Sequence, residues 1–158
     1  MIFLKKLEYR LNDKWNHFPA IFHYEQIQEE ELICRMSCGY YVKENKVYKA
    51  ISNALEPNGM VVIYVEEAGA SVKNNEEKVY SGIGFEIREL NGNEARLIKA
   101  EEHDMHRDVQ LSLHSDFLYI PRKGSTIVAL EFKLDSLEID EDRNCYVYYG
   151  TFTGEELY

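Results

Sequence analysis

Proline and glycine are scarce in this 158-residue chain, at three and nine copies, which excludes collagen-like, linker-like and low-complexity compositions. Cysteine occurs three times, so internal disulfides cannot use every thiol, and a reducing compartment is expected. Long apolar runs are also missing. The longest, Met60 to Val65, is far too short to cross a bilayer. The opening MIFLKKLEYRLN puts its lysines after the apolar residues and offers no small-residue cleavage site, so it does not read as a secretory signal. The expected location is cytoplasmic, with no membrane partner.

Basic charge is thin: 18 Lys and Arg against 28 Asp and Glu give a net charge of −10. The cations stand in scattered pairs such as Lys5-Lys6 and Arg122-Lys123, which provide no phosphate-binding patch, so no nucleic-acid partner is expected. Nucleophile elbows, P-loops and dinucleotide fingerprints are absent. Gly82-x-Gly84 lacks a third glycine and precedes a strand instead of opening a helix. No repeat is visible at any solenoid period.

What the chain has is alternation. Val128, Leu130, Phe132 and Leu134 share one face of an extended segment and Glu131, Lys133 and Asp135 the other, which marks a half-buried strand. Leu137 and Ile139 fall on the opposite phase, which predicts a bulge near Asp135 and Ser136. Val109 to Tyr119 alternates in the same way and leads through Pro121 to Gly124 into this strand, and Cys145 to Phe152 follows after a polar turn, so an antiparallel meander is expected. The run Asp140-Glu141-Asp142-Arg143-Asn144 is too polar to bury on this reading.

Earlier in the chain, strands are expected at Leu7 to Leu11, at Leu32 to Tyr41 and at Met60 to Val65, with a packed or edge segment over Trp15 to Tyr24. Glu66 to Lys78 reads as a surface loop, Ile83 to Ile98 as a hairpin about Asn91-Gly92-Asn93, and Lys99 to Asp108 as a polar interval. Val47, Ile51 and Leu55 recur every four residues after Asn45, which predicts a helix; its first residues have the alternative of pairing with Tyr40 to Val42. The expected fold is therefore mainly β: an antiparallel β-barrel or two-layer β-sandwich with one short helix near 46–55, residues 1–158 forming one domain.

Four constellations bear on chemistry. His103, His106 and His114 are weak candidates for a three-nitrogen metal site, because their spacing matches no established zinc signature. Asp140 to Asn144 begins like a calcium loop, but Cys145 stands where glycine is needed and Thr151 where the bidentate glutamate is needed. Cys34, Cys38 and Cys145 sit on apolar faces and read as core residues rather than nucleophiles. The 12 tyrosines exceed ordinary usage and place rings on both faces of their strands. With no catalytic constellation and no cofactor expected, the leading reading is a non-enzymatic, acidic protein-binding module, of the kind that an immunity protein or antitoxin uses against a basic partner. Tyr41, Tyr146, Tyr148, Asp140 and Asp142 would be its contact residues, and a homodimer is compatible with the same faces. The alternatives are a small-molecule-binding β-barrel with an aromatic-lined cavity, and a metal-dependent hydrolase using the three histidines.

Overall fold

The computed structural model describes residues 4–71, 74 and 77–158. The loop expected over Glu66 to Lys78 therefore lies partly outside the described residues, as do the first three residues of the opening segment. The chain forms strands β1 (Leu4–Leu11), β2 (Ala20–Gln28), β3 (Tyr40–Lys43), β4 (Lys46–Leu55), β5 (Val61–Ala70), β6 (Ile83–Asn91), β7 (Glu94–His103), β8 (Phe117–Pro121), β9 (Ala129–Asp140) and β10 (Cys145–Leu157), with helices α1 (Glu29–Met36) and α2 (Arg107–Leu113). The protein is mainly β, as expected. Its strands make a ten-stranded mixed sheet that is not closed into a barrel.

The strand order β2-β1-β5-β4-β3-β9-β10-β6-β7 contains an internal repetition. In the first half, β1 pairs antiparallel with β2 and parallel with β5, and β4 pairs antiparallel with β5 and β3. In the second half, β6 pairs antiparallel with β7 and parallel with β10, and β9 pairs antiparallel with β10 and β8. Each half is thus a ββαβββ unit with its helix before its third strand. The halves join where β3 runs parallel to β9 through Tyr40, Tyr41 and Val42. The mirrored pairing, β8 with β4, is absent among the described residues, which leaves the sheet open.

The predicted bulge is present: Tyr149 faces Ser136 and Gly150 faces Leu134, so Asp135 is the extra residue. Met60 leads into β5, which is flanked by β1 and β4 and runs on through Ala70, so that Glu66 to Ala70 are strand and not the loop expected there. Hairpins form at Asn91-Gly92-Asn93 and between β8 and β9.

Three further local expectations are corrected. Residues 46–55 are strand β4 and not a helix, because Glu44 and Asn45 adopt positive φ and close a tight hairpin with β3. The segment read as a strand from Leu32 begins as α1: Glu29, Glu30 and Glu31 occupy its positive first turn, and Arg35 pairs with Glu31 one turn on at 2.9 Å. Val109 to Leu113 is α2, which buries Val109 and Leu113 four residues apart and leaves Leu111 82% exposed.

Both helices lie over one face of the sheet, above a core built from Leu7, Tyr9, Val65, Ile87, Phe132 and Tyr148, among others. The other face carries Cys145 and Val147, which Tyr80 covers. Gly150, at the bulge, has no room for a side chain: an added Cβ would lie 2.2 Å from the Lys133 carbonyl oxygen and 2.6 Å from the Phe132 ring, whereas at Gly39 the nearest atom is 4.0 Å away. Gly150→Ala is expected to lower stability by about 2–3 kcal/mol in urea unfolding. Gly39→Ala should remain within about 0.5 kcal/mol of wild type.

Candidate functional site

The turn after β9 is where the two halves are clasped, and the polar run expected to stay at the surface is largely drawn inward. On the face away from the helices, Arg143 donates to Asp140 at 2.9 Å and forks onto Glu86 of β6 at 2.8 and 3.2 Å. Glu86 also accepts from Arg88 at 2.8 Å and from Tyr80 at 2.7 Å. Glu86 and Arg88 are fully buried, so the network holds only because every charge has an opposite within hydrogen-bond reach. Asp142 accepts the backbone N–H groups of Glu44 and Asn45 at 2.8 and 2.9 Å and so fixes the β3–β4 turn.

Glu141 points to the helix face. It accepts from Arg35 of α1 at 3.2 Å, Tyr41 at 2.8 Å, Lys43 at 3.0 Å and the Tyr24 hydroxyl. Burial alone would raise its pKa, but the Arg35 charge and the donors from Tyr24, Lys43 and Tyr41 outweigh it and hold the carboxyl at about 2. Tyr9 and Tyr41 stack beneath with centroids 4.0 Å apart, and the Arg35 guanidinium lies 4.9 Å from the Tyr24 ring.

Beside this cluster a cleft of about 300 Å³ opens between α1, the start of α2, and the turns that precede β6 and β10. Glu31 and Arg35 line one wall, His106 and Tyr146 another, and Glu141 and Asn144 a third. Burial, helped by the Arg35 charge, lowers the His106 pKa against the pull of Glu31, which favours a neutral imidazole. Tyr146 is 2% exposed, and its hydroxyl, close to the Cys34 thiol, has no hydrogen-bond partner of good geometry among the described residues. The cleft therefore presents a neutral imidazole, an unused phenol and a braced guanidinium–carboxylate pair, a set suited to orienting a polar molecule by hydrogen bonds.

The sequence candidates are distributed differently. His103, at the end of β7, bonds Glu101 at 2.9 Å; His106 is in the cleft; His114 ends α2. The three are not brought together, and no group of three or more His, Cys, Asp or Glu among the described residues is placed to hold a metal. Tyr41, Tyr146 and Tyr148 are core residues and not surface anchors: Tyr41 is committed to Glu141, and Tyr148 donates to the Ser115 carbonyl at 2.7 Å. Asp140 and Asp142 serve the clasp, and only Asp142 is on the surface. The cysteines are buried and free, and Cys34, pushed up to about 12 by burial, is no nucleophile at neutral pH. Glu31, Arg35 and Glu141 were missed as site residues. The four-residue spacing of Glu31 and Arg35 was the one available signal, since it matches a helical ion pair.

Because the folded-state pKa of Glu141 lies below the ordinary glutamate value of 4.5, its stabilisation is complete above that value and is lost as pH falls toward 2. Glu141→Gln is expected to cost about 3 kcal/mol near pH 7, and urea unfolding should show the gap to wild type shrinking as the solution is acidified. Compared with family models, curated proteins and solved structures, the chain matches none.

Proposed function

We propose that this protein is a binding domain for a small polar organic molecule, held in the cleft between α1 and α2. The observation that carries this reading is Tyr146, which lines a cleft it shares with Arg35, His106 and Glu141 while its buried hydroxyl has no neighbour of good hydrogen-bond geometry among the described residues, only the weak Cys34 thiol close by. A buried phenol left unsatisfied costs stability unless something outside the chain accepts its hydrogen bond. The volume of about 300 Å³ fits a compact metabolite-sized ligand at the lower end of the usual range. Residues from both halves supply the walls, the junction position that binding sites favour.

A second reading retains a protein partner of basic character. It is supported by the net charge of −10 and by Trp15, which stands 92% exposed in the single 3-10 turn between β1 and β2 and is the only tryptophan of the chain. Its emission is therefore a specific reporter. Binding of a cationic protein that neither shifts Trp15 fluorescence nor weakens with salt would remove this reading.

The cleft is tested by a thermal-shift screen of saccharides, nucleosides and amino acids on wild type and Tyr146→Phe. Without ligand the variant should match wild type or gain up to about 1 kcal/mol, because an unpaired hydroxyl is removed. A compound that stabilises wild type should bind the variant about ten-fold more weakly. If no compound raises the melting temperature, or if every hit binds both proteins equally, the cleft is not the binding site.

A further inference from the structure

The face of the sheet away from the helices carries a second cleft, of about 410 Å³, built on different chemistry. Glu138 and Asp140 of β9 line it together with Glu77, and among the described residues no Lys, Arg or His does. Asp140 is 6% exposed. Its Oδ2 accepts from Arg143, but its Oδ1 is buried with no hydrogen-bond partner among the described residues. Tyr149 closes one side and donates to Glu138 at 3.2 Å. Val47, Ala70 and Ala95 supply hydrocarbon walls.

These walls discriminate between cations. A metal ion needs several donors converging within a little over 2 Å of one point, and no three acidic, His or Cys side chains among the described residues are so placed. A larger cation, with N–H groups directed at the carboxyls and methylenes lying on the apolar walls, matches this lining. We propose that this cleft binds an alkylammonium ligand, a short aliphatic diamine, with one ammonium on the unsatisfied Asp140 Oδ1 and the neighbouring Glu138 carboxyl. The inference does not rest on the cleft between the helices; either site can fail alone.

The electrostatics of the cleft agree. Burial, and then the charge of Asp140, raise the Glu138 pKa to about 7. The groups around it are Asp140 on its own strand, Tyr149 on β10, Arg143 in the following turn and Glu77 from the loop after β5. Bringing a cation there favours the ionised carboxylate, so binding releases a proton near neutrality. An aliphatic ammonium stays charged throughout this range. Affinity should therefore rise about ten-fold between roughly pH 6 and pH 8.

The test is isothermal titration of the full chain with 1,4-diaminobutane. The expected result is saturable one-site binding that strengthens from pH 6 to pH 8 by about that factor. It should weaken at least about ten-fold in Glu138→Gln, which loses one charged hydrogen-bonding partner. Ala95→Met, which fills the cleft without changing its charge, should weaken binding as well and serves if Glu138→Gln folds poorly. Glu155→Gln removes an exposed charge elsewhere and should bind like wild type. No saturable binding below about 10 mM would overturn the proposal. So would equal affinity in all four proteins, which would mean diffuse attraction to an acidic surface.

Discussion

The structure depends on one turn whose charged side chains leave the backbone in opposite directions. On one face of the sheet Arg143, held by Asp140, reaches Glu86, while Glu141 reaches through the other face to Arg35, Lys43 and two tyrosines. Charges so deeply placed are costly to desolvate, and they persist only with near-complete pairing. The strands around the turn are therefore fixed relative to one another to within hydrogen-bond tolerance. β6 must lie beside β10 for Glu86 to meet Arg143, and α1 must lie against β1 and β2 for Arg35 to meet Glu141. Hydrophobic burial supplies most of the driving force but tolerates many arrangements; this polar constraint selects one.

The repeated ββαβββ unit explains why a chain with few helical residues positions two helices side by side. Each half puts its helix before its third strand, and the parallel junction of β3 with β9 brings α1 and α2 over the same core. The repetition is structural and not chemical. At the cleft, α1 contributes Glu31 and Arg35, whereas the second half contributes His106 before α2 and Tyr146 on β10. The outermost strand β7 exposes Glu94, Arg96, Lys99 and Glu102, which discourages edge-to-edge pairing with other chains.

How much of this could be read from the sequence follows from the range of the forces involved. The alternation of β9 and its break at Asp135 were legible because period and phase are local properties, and so were β5 and the hairpin turns. Short helices were not. Leu32, Cys34, Met36 and Cys38 alternate as a strand would, and only the acidic first turn and the Glu31–Arg35 spacing argued otherwise. In β4 the spacing of Val47, Ile51 and Leu55 imitated a helix, although Ile51 and Leu55 are exposed and contribute little to the core. The clasp was illegible for a different reason. Asp140 to Arg143 looks like a solvated turn until partners 57 and 106 residues away arrive, and no local pattern encodes that meeting. For the same reason Tyr41, Tyr146 and Tyr148 read as available for recognition, although they are internal.

The junction between the halves has a mechanical consequence. Only three residue pairs of β3 and β9 are in register across it, whereas β9 and β10 share ten. Backbone bonding therefore resists twisting there much less than within either half, and the side chains of the clasp supply the remaining stiffness. The alignment of one half on the other is thus set at the seam more by side chains than by backbone.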